Sequence, residues 1–204
     1  LYRYEGDEYW NFYEWREGLA GEKTDISPIL DSPLNAFVCD AFSCFVEICK
    51  ILHCEDKSSR YVDLNNKMKV SLHKTFWNED VRAYSTIAGE IPKHILTQGL
   101  MLYVGAVPEE KRNDVAQSIM GKKLIPFSLS MSIYVYEALL QINEGYKKFV
   151  LSDIEKTWGK MLDANCQTFW ETELGAEDFE KAGSLCHGWS AVPIYIFGKY
   201  FNMF

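Results

Sequence analysis

The stretch SPLNAFVCDAFSCFVEICKIL, residues 32–52, decides the fold. Leu34, Phe37, Val38, Ala41, Phe42, Phe45, Val46, Cys49 and Leu52 recur at steps of three and four, which is the spacing of one helical face. The stripe is broad, so it predicts a deeply buried helix. Ser32 followed by Pro33 predicts the start, with Ser32 as the cap and Pro33 at the first helical position. The polar link CEDKSS, residues 54–59, leads to a second periodic stretch with a narrower face: Tyr61, Leu64, Met68, Leu72 and Phe76. A link this short makes the two helices antiparallel neighbours.

The pattern continues to the end of the chain. FWNEDVRAYSTIAGEIP, residues 76–92, breaks the helical period; Asn78-Glu79-Asp80 reads as a turn between short extended segments. Pro92 is expected to open a third helix carrying Ile95, Leu96, Leu100 and Tyr103, and Pro108 a fourth carrying Val115 and Ile119, closed by Gly121. A fifth helix is expected over 128–143. A sixth is expected to begin at the capping box Ser152-Asp153-Ile154-Glu155 and to bury Ile154, Trp158, Met161 and Leu162. The last helix follows His187 and runs through Tyr195. Successive hairpins without a motif of fixed period disfavour a solenoid. An irregular bundle or part of a toroid of helical hairpins remains.

The bulk numbers fit one substantial domain: 204 residues, a net charge of −8, and 15% aromatic residues. The aromatic content leaves ring faces available for flat ligands such as sugars. No Lys/Arg run is present, which argues against nucleic acid or an anionic membrane surface as partner. No apolar run approaches the ~20 residues of a membrane span. The first residue is Leu, so the chain is expected to be cut from something longer, or trimmed at its start. Cys39, Cys44, Cys49 and Cys54 follow one another at steps of five, which turns a helix by about 140° and keeps neighbours off a common face. That spacing does not match paired zinc ligands, and the thiols are read as reduced.

Chemistry concentrates in TFWETELGAEDFEKAGSLCHGWSAVP, residues 168–193. Glu171 adjoins Phe169 and Trp170. A carboxylate against aromatic rings loses hydration, which suits a general acid or base, although a solvated helix-end glutamate has the same local sequence. His187 and Trp189 bracket Gly188. The histidine suits a hydrogen bond to a sugar hydroxyl and the tryptophan a stacked pyranose, against a capping histidine and a core tryptophan as the structural alternative. EYWNFYEWREG, residues 8–18, repeats the combination with Trp10, Tyr13, Glu14 and Trp15. His-x-x-x-His, His-Glu-x-x-His and phosphate-loop motifs are missing, so no metal and no cofactor is expected.

Together these pieces resemble the catalytic domain of bacterial alpha-L-rhamnosidases, family 78 of the glycoside hydrolases. The resemblance rests on Thr168-Phe169-Trp170-Glu171 followed by Ser184-Leu185-Cys186-His187-Gly188-Trp189-Ser190-Ala191, Pro193 and Tyr195. FYEW (12–15), LNAFVCDAF (34–42) and MLDANCQTFWE (161–171) support it. The resemblance implies an all-α fold, with antiparallel helical hairpins forming part of an (α/α)6 toroid, and residues 1–204 as one partial catalytic domain. It implies inverting hydrolysis of terminal alpha-L-rhamnosides, with a rhamnose-containing glycan or glycoside as partner. Glu171 would be the general base, and His187 and Trp15 would contact the sugar. Trp170, Trp189 and Glu14 would border the same pocket.

One departure limits the activity. The family's general acid lies in a segment of the form D.P.RDE, and YEGDEYW, residues 4–10, lacks its Pro and Arg. An inverting enzyme needs two carboxyl groups about 6.5–9.5 Å apart, so this chain alone is expected to be inactive. A non-catalytic carbohydrate-binding or helical interaction domain is the rival reading, and a helical scaffold without a ligand is a third. Half a toroid leaves inner-helix faces uncovered, so self-association, or contact with the missing half, is also expected.

Overall fold

A computed structural model of the chain describes residues 1–4, 11–21, 28–121 and 123–203. Trp10 and most of the YEGDEYW segment lie outside the described residues. Within them the fold is all-α, as the periodicity predicts. The helices are α1 (Ser32–Ile51), α2 (Ser59–Phe76), α3 (Ile95–Tyr103), α4 (Arg112–Met120), α5 (Ser132–Ile142), α6 (Lys147–Asp163) and α7 (Val192–Phe201). Between α2 and α3 a two-stranded antiparallel hairpin pairs β1 (Trp77–Asn78) with β2 (Ala83–Tyr84), around the expected turn.

The odd-numbered helices form one layer, in which α1 packs on α3, α3 on α5 and α5 on α7. The even-numbered helices lie outside it: α2 against α1 and α4 against α3. α6 is tied inward by Tyr136 Oη, which donates to Asp153 at 2.7 Å, and by Trp158 Nε1, which donates to the Ser190 carbonyl at 2.8 Å. This alternation of inner and outer helices is the hairpin-toroid arrangement. Inner helices are covered on more than one side, so α3 buries every residue from Ile95 to Leu102. At the α3–α5 crossing the backbones approach so closely that a Cβ on Gly99 would sit 2.7 Å from Val135 Cγ2.

Several boundaries differ from the sequence expectation, each for a local reason. The α1 cap is Asp31, not Ser32: Asp31 Oδ1 accepts the Leu34 N–H at 2.8 Å. Ser32 Oγ instead donates to the Ser85 carbonyl at 2.9 Å, tying α1 to the segment after β2. The breadth of the α1 stripe overstated its burial. Ala36 and Cys39 are fully buried, whereas Ile48, Ile51 and Leu52 are 52%, 74% and 66% exposed. Pro92 precedes α3 by an extended run that pairs with residue 125, and Pro108 opens a 3-10 turn, Glu109–Lys111, ahead of α4. Residues 128–131 form a turn before α5. The capping box 152–155 lies inside α6, because Asn143 accepts the Gly145 N–H and starts the turn earlier. That start adds buried Val150 to the stripe of Ile154, Trp158 and Met161, while Leu162 is 74% exposed.

Three helices end alike. In α1, α3 and α6 the residue after the cap is left-handed: His53 (φ 52°), Gly105 (φ 71°) and Asn165 (φ 54°). In each, the next N–H reaches back to a carbonyl five residues earlier, as in Cys54 N–H to Cys49 O at 2.9 Å. This is the Schellman closure, which returns the chain sharply toward the next helix.

Candidate active site

Residues 11–21 form a tight hairpin, with the Tyr13 N–H on the Leu19 carbonyl at 2.8 Å, and it crosses the N-terminal ends of three inner helices. At α1, Tyr13 Oη donates to Asp31 Oδ2 at 2.8 Å. At α3, the buried His94 donates from Nε2 to the Glu17 carbonyl at 2.8 Å, and its Nδ1 faces Thr86 Oγ1 at 2.7 Å. A carbonyl can only accept, so Nε2 carries the proton. Gly18 (φ 80°) lies flat on the same imidazole, where a Cβ would meet Cε1 at 3.2 Å. At the turn before α5, the Ser128 N–H donates to Glu14 Oε2. Arg16 donates to the Pro126 and Phe127 carbonyls at 2.9 and 3.1 Å.

Glu14 was expected to border the sugar, yet it is only 2% exposed and lies beneath the hairpin. Its Oε1 is buried with no hydrogen-bond partner among the described residues. Burial pushes this carboxyl up to about 7, against the opposing pull of the Ser128 hydrogen bond. Glu14 is thus placed to hold the hairpin on α5 and to keep a proton near neutral pH. Asp31 is also pushed upward by burial, opposed by the bonds from Leu34, Tyr13 and Asn11.

The second part of the site comes from the connection between α6 and α7. Phe169–Glu171 pairs with Ser184–His187: the Glu171 N–H donates to the Ser184 carbonyl at 2.9 Å, and the His187 N–H to the Phe169 carbonyl at 2.7 Å. Glu171 Oε2 accepts the Ser184 N–H at 3.3 Å, and Trp189 Nε1 donates to the Glu171 carbonyl at 3.2 Å. The rings of His187 and Trp189 stack, with centroids 4.0 Å apart and planes 23° from parallel. Trp189 is 36% exposed, so it is a surface ring rather than a core one. His187 Nδ1 is buried with no hydrogen-bond partner among the described residues. Ser190 Oγ donates to the carbonyls of Trp170 and His187, which fastens the start of α7 beneath the pair.

Trp170 is placed by its neighbour across the insert. Its ring lies against Gly175 (φ 57°), where a Cβ would come within 2.7 Å, so it packs on the insert of residues 172–186. The insert is not a bystander. Arg16 Nη2 lies 2.8 and 2.9 Å from the two Glu173 oxygens. Phe179 meets Trp15 edge-on at 5.3 Å, and Phe12 meets Trp15 at 4.6 Å. Trp15, Arg16, Glu173, Leu174, Asp178 and Phe179 line part of a cavity of about 350 Å³. Glu171 and His187 are not among its walls; they form the adjoining ladder, joined to it through Thr172 and Glu173. Sequence reasoning missed Arg16, Ser128, Glu173 and Phe179. No spacing could have revealed Arg16 and Glu173 as partners, because they lie 157 positions apart.

Among the described residues no group of three or more His, Cys, Asp or Glu side chains is placed to hold a metal ion. No described helix is long and apolar enough to cross a membrane.

Solved structures that share this arc of helical hairpins include two rhamnosidases. The GH78 family rhamnosidase of Bacillus sp. GL1 superposes with a TM-score of 0.74 at 21% identity, over 93% of this chain and 20% of that one. The rhamnosidase from Klebsiella oxytoca with rhamnose bound superposes with a TM-score of 0.77 at 17% identity, over 97% of this chain and 38% of that one. The chain therefore spans well under half the length of either. No protein-family model matches the sequence, and no curated protein does.

Proposed function

We propose that the chain is the base-carrying part of an inverting glycoside hydrolase acting on terminal alpha-L-rhamnosides. The observation that carries this reading is the 169–171 to 184–187 ladder, which gathers Glu171 and the stacked His187–Trp189 pair, with Trp189 Nε1 donating to the Glu171 backbone carbonyl at 3.2 Å. In this reading Glu171 takes a proton from the attacking water. Trp189 packs on the apolar face of the sugar, and His187 hydrogen-bonds a hydroxyl. Trp15 borders the approach through its contact with Phe179, and Glu14 and Trp170 hold these elements in place. The acid that protonates the leaving oxygen is supplied by residues outside this sequence, so the 204-residue chain alone binds sugar without turning it over. The overlap of its fold with two rhamnosidases supports the substrate class.

The test uses the complete protein that contains this chain, assayed on an aryl alpha-L-rhamnoside. Glu171→Gln should lower kcat by ~10²–10⁴-fold, the usual contribution of a general base. Glu171→Ala should regain product formation with azide, released as the inverted glycosyl azide. Near-normal turnover by Glu171→Gln would refute the base assignment. A second reading, a carbohydrate-binding domain without catalysis, is favoured by the exposed stack of Trp189 on His187. It predicts rhamnose binding by the complete protein with no hydrolysis in any variant.

A further inference from the structure

The cysteine ladder at 39, 44, 49 and 54 plays no part in the proposed chemistry, yet the fold treats its last step differently from the others. Cys39, Cys44 and Cys49 lie within α1, where steps of five send the thiols in different directions. Cys54 lies beyond the helix end. The Schellman closure there has two bonds: Cys54 N–H to Cys49 O at 2.9 Å and His53 N–H to Lys50 O at 3.1 Å. In this motif the residues three before the cap and two after it are brought into side-chain contact, and that contact is usually apolar. At the ends of α3 and α6 the corresponding pairs are Met101 with Ala106 and Met161 with Cys166. At the end of α1 both members are cysteines, joined through the backbone bond from Cys54 N–H to Cys49 O at 2.9 Å, and the two thiols influence one another electrostatically. Both are free.

We propose that Cys49 and Cys54 form a dithiol site that closes to a disulfide when hydrogen peroxide oxidises it. Exposure assigns the order of events. Cys49 is 3% exposed, whereas Cys54 is half-buried and open to solvent. The Cys54 thiolate attacks the peroxide, the O–O bond breaks, hydroxide leaves, and Cys54 becomes a sulfenic acid. The Cys49 sulfur then attacks the Cys54 sulfur. The S–O bond breaks, and water departs with the Cys49 proton. Two thiols are oxidised and one peroxide is reduced to two waters. Disulfides bridge Cα atoms about 4.4–6.8 Å apart, and the backbone bond between these same two residues already holds them as neighbours. Burial, and then the adjoining Cys54 thiol, push the Cys49 thiol above its ordinary value. Cys49 therefore acts as the resolving partner rather than the first target. The bridge would fasten the end of α1 to the turn leading into α2.

The experiment treats the intact chain with hydrogen peroxide, caps the remaining thiols with iodoacetamide, and maps the peptides by mass spectrometry with fragmentation. Trypsin cuts after Lys50, so the bridge appears as two joined peptides. The expected product is a Cys49–Cys54 link, lost on dithiothreitol treatment. Cys49→Ser should instead accumulate a dimedone-reactive sulfenic acid at Cys54. In Cys54→Ser, Cys49 should stay alkylatable at peroxide doses that bridge the parent, with circular dichroism confirming that both variants fold. The proposal is overturned if Cys49 and Cys54 both carry the alkyl label after peroxide, if Cys54 links to another cysteine, or if Cys49 oxidises equally well in Cys54→Ser.

Discussion

Arg16 and Glu173 meet at 2.8 Å although 157 residues separate them, and their ion pair joins the N-terminal hairpin to the insert before α7. Both side chains are 23% exposed, so the pair is neither a solvated surface contact nor a fully desolvated one. Arg16 also holds two backbone carbonyls, which leaves it pre-positioned when Glu173 arrives. Replacing Glu173 by Gln should therefore cost about 1–2 kcal/mol, above the ~0–1 kcal/mol of exposed pairs and near that of charged hydrogen bonds. Urea unfolding of the two proteins would measure it. An unchanged midpoint would mean that the insert is held by the Trp15–Phe179 contact instead.

Glu14 gives a pH dependence with a definite sign. Its folded-state value lies near 7 against an ordinary 4.5, so the folded chain binds this proton more tightly than the unfolded chain. The contribution is full below about 4.5 and is lost as pH rises through 7. That interval corresponds to roughly 3 kcal/mol. Denaturant midpoints should fall from pH 5 to pH 8 in the parent. In Glu14→Gln this component of the slope should vanish. Equal slopes in the two proteins would contradict the assignment.

Trp189 offers a ring face to solvent while its other side stacks on His187. If that face receives the sugar, Trp189→Ala should weaken L-rhamnose binding by roughly tenfold, about 1.4 kcal/mol, at the upper end of aromatic contacts. Calorimetric titration of rhamnose into the two proteins provides the check, and equal affinities would move the sugar elsewhere.

Two glycines should respond oppositely to the same change. Gly99→Ala drives a methyl into Val135 at 2.7 Å and should destabilise by about 1–3 kcal/mol, outweighing the helix preference of alanine. Gly159 in α6 has nothing within 4 Å of an added Cβ. Gly159→Ala should therefore stabilise by ~0.5–1 kcal/mol. Thermal unfolding of both variants decides the matter.

The helices were legible because their apolar residues repeat at the helical period, and β1–β2 because Asn78-Glu79-Asp80 interrupts it. Starts were misread where a polar residue had a better partner than the adjacent helix end. Ser32 has every attribute of a cap, but its hydroxyl is used on Ser85, and Asp31 takes the position. Ser152 and Glu155 have the spacing of a capping box, but the chain was already helical from Lys147. Leu162 and Leu52 belong to apolar stripes, yet both sit in last turns that the closing motif turns toward solvent.

The candidate site divides in the same way. Glu171, His187 and Trp189 stand within one continuous stretch, and the ladder that gathers them is local, so the sequence alone could nominate them. Glu14 was nominated by the aromatics beside it and Trp170, with Trp189, by adjacency; tertiary packing sets Glu14 and Trp170 beneath other elements. One lies under the hairpin on Ser128, the other beneath Gly175. By itself the sequence determined the helical class and the hairpin order, and it nominated the candidate site residues, because helical period and short motifs are local properties of the chain. Only the tertiary structure decided that the hairpin of residues 11–21 crosses three helix ends, that Arg16 meets Glu173, and that the insert walls the cavity. Those contacts depend on the angle between packed helices, which no local spacing encodes.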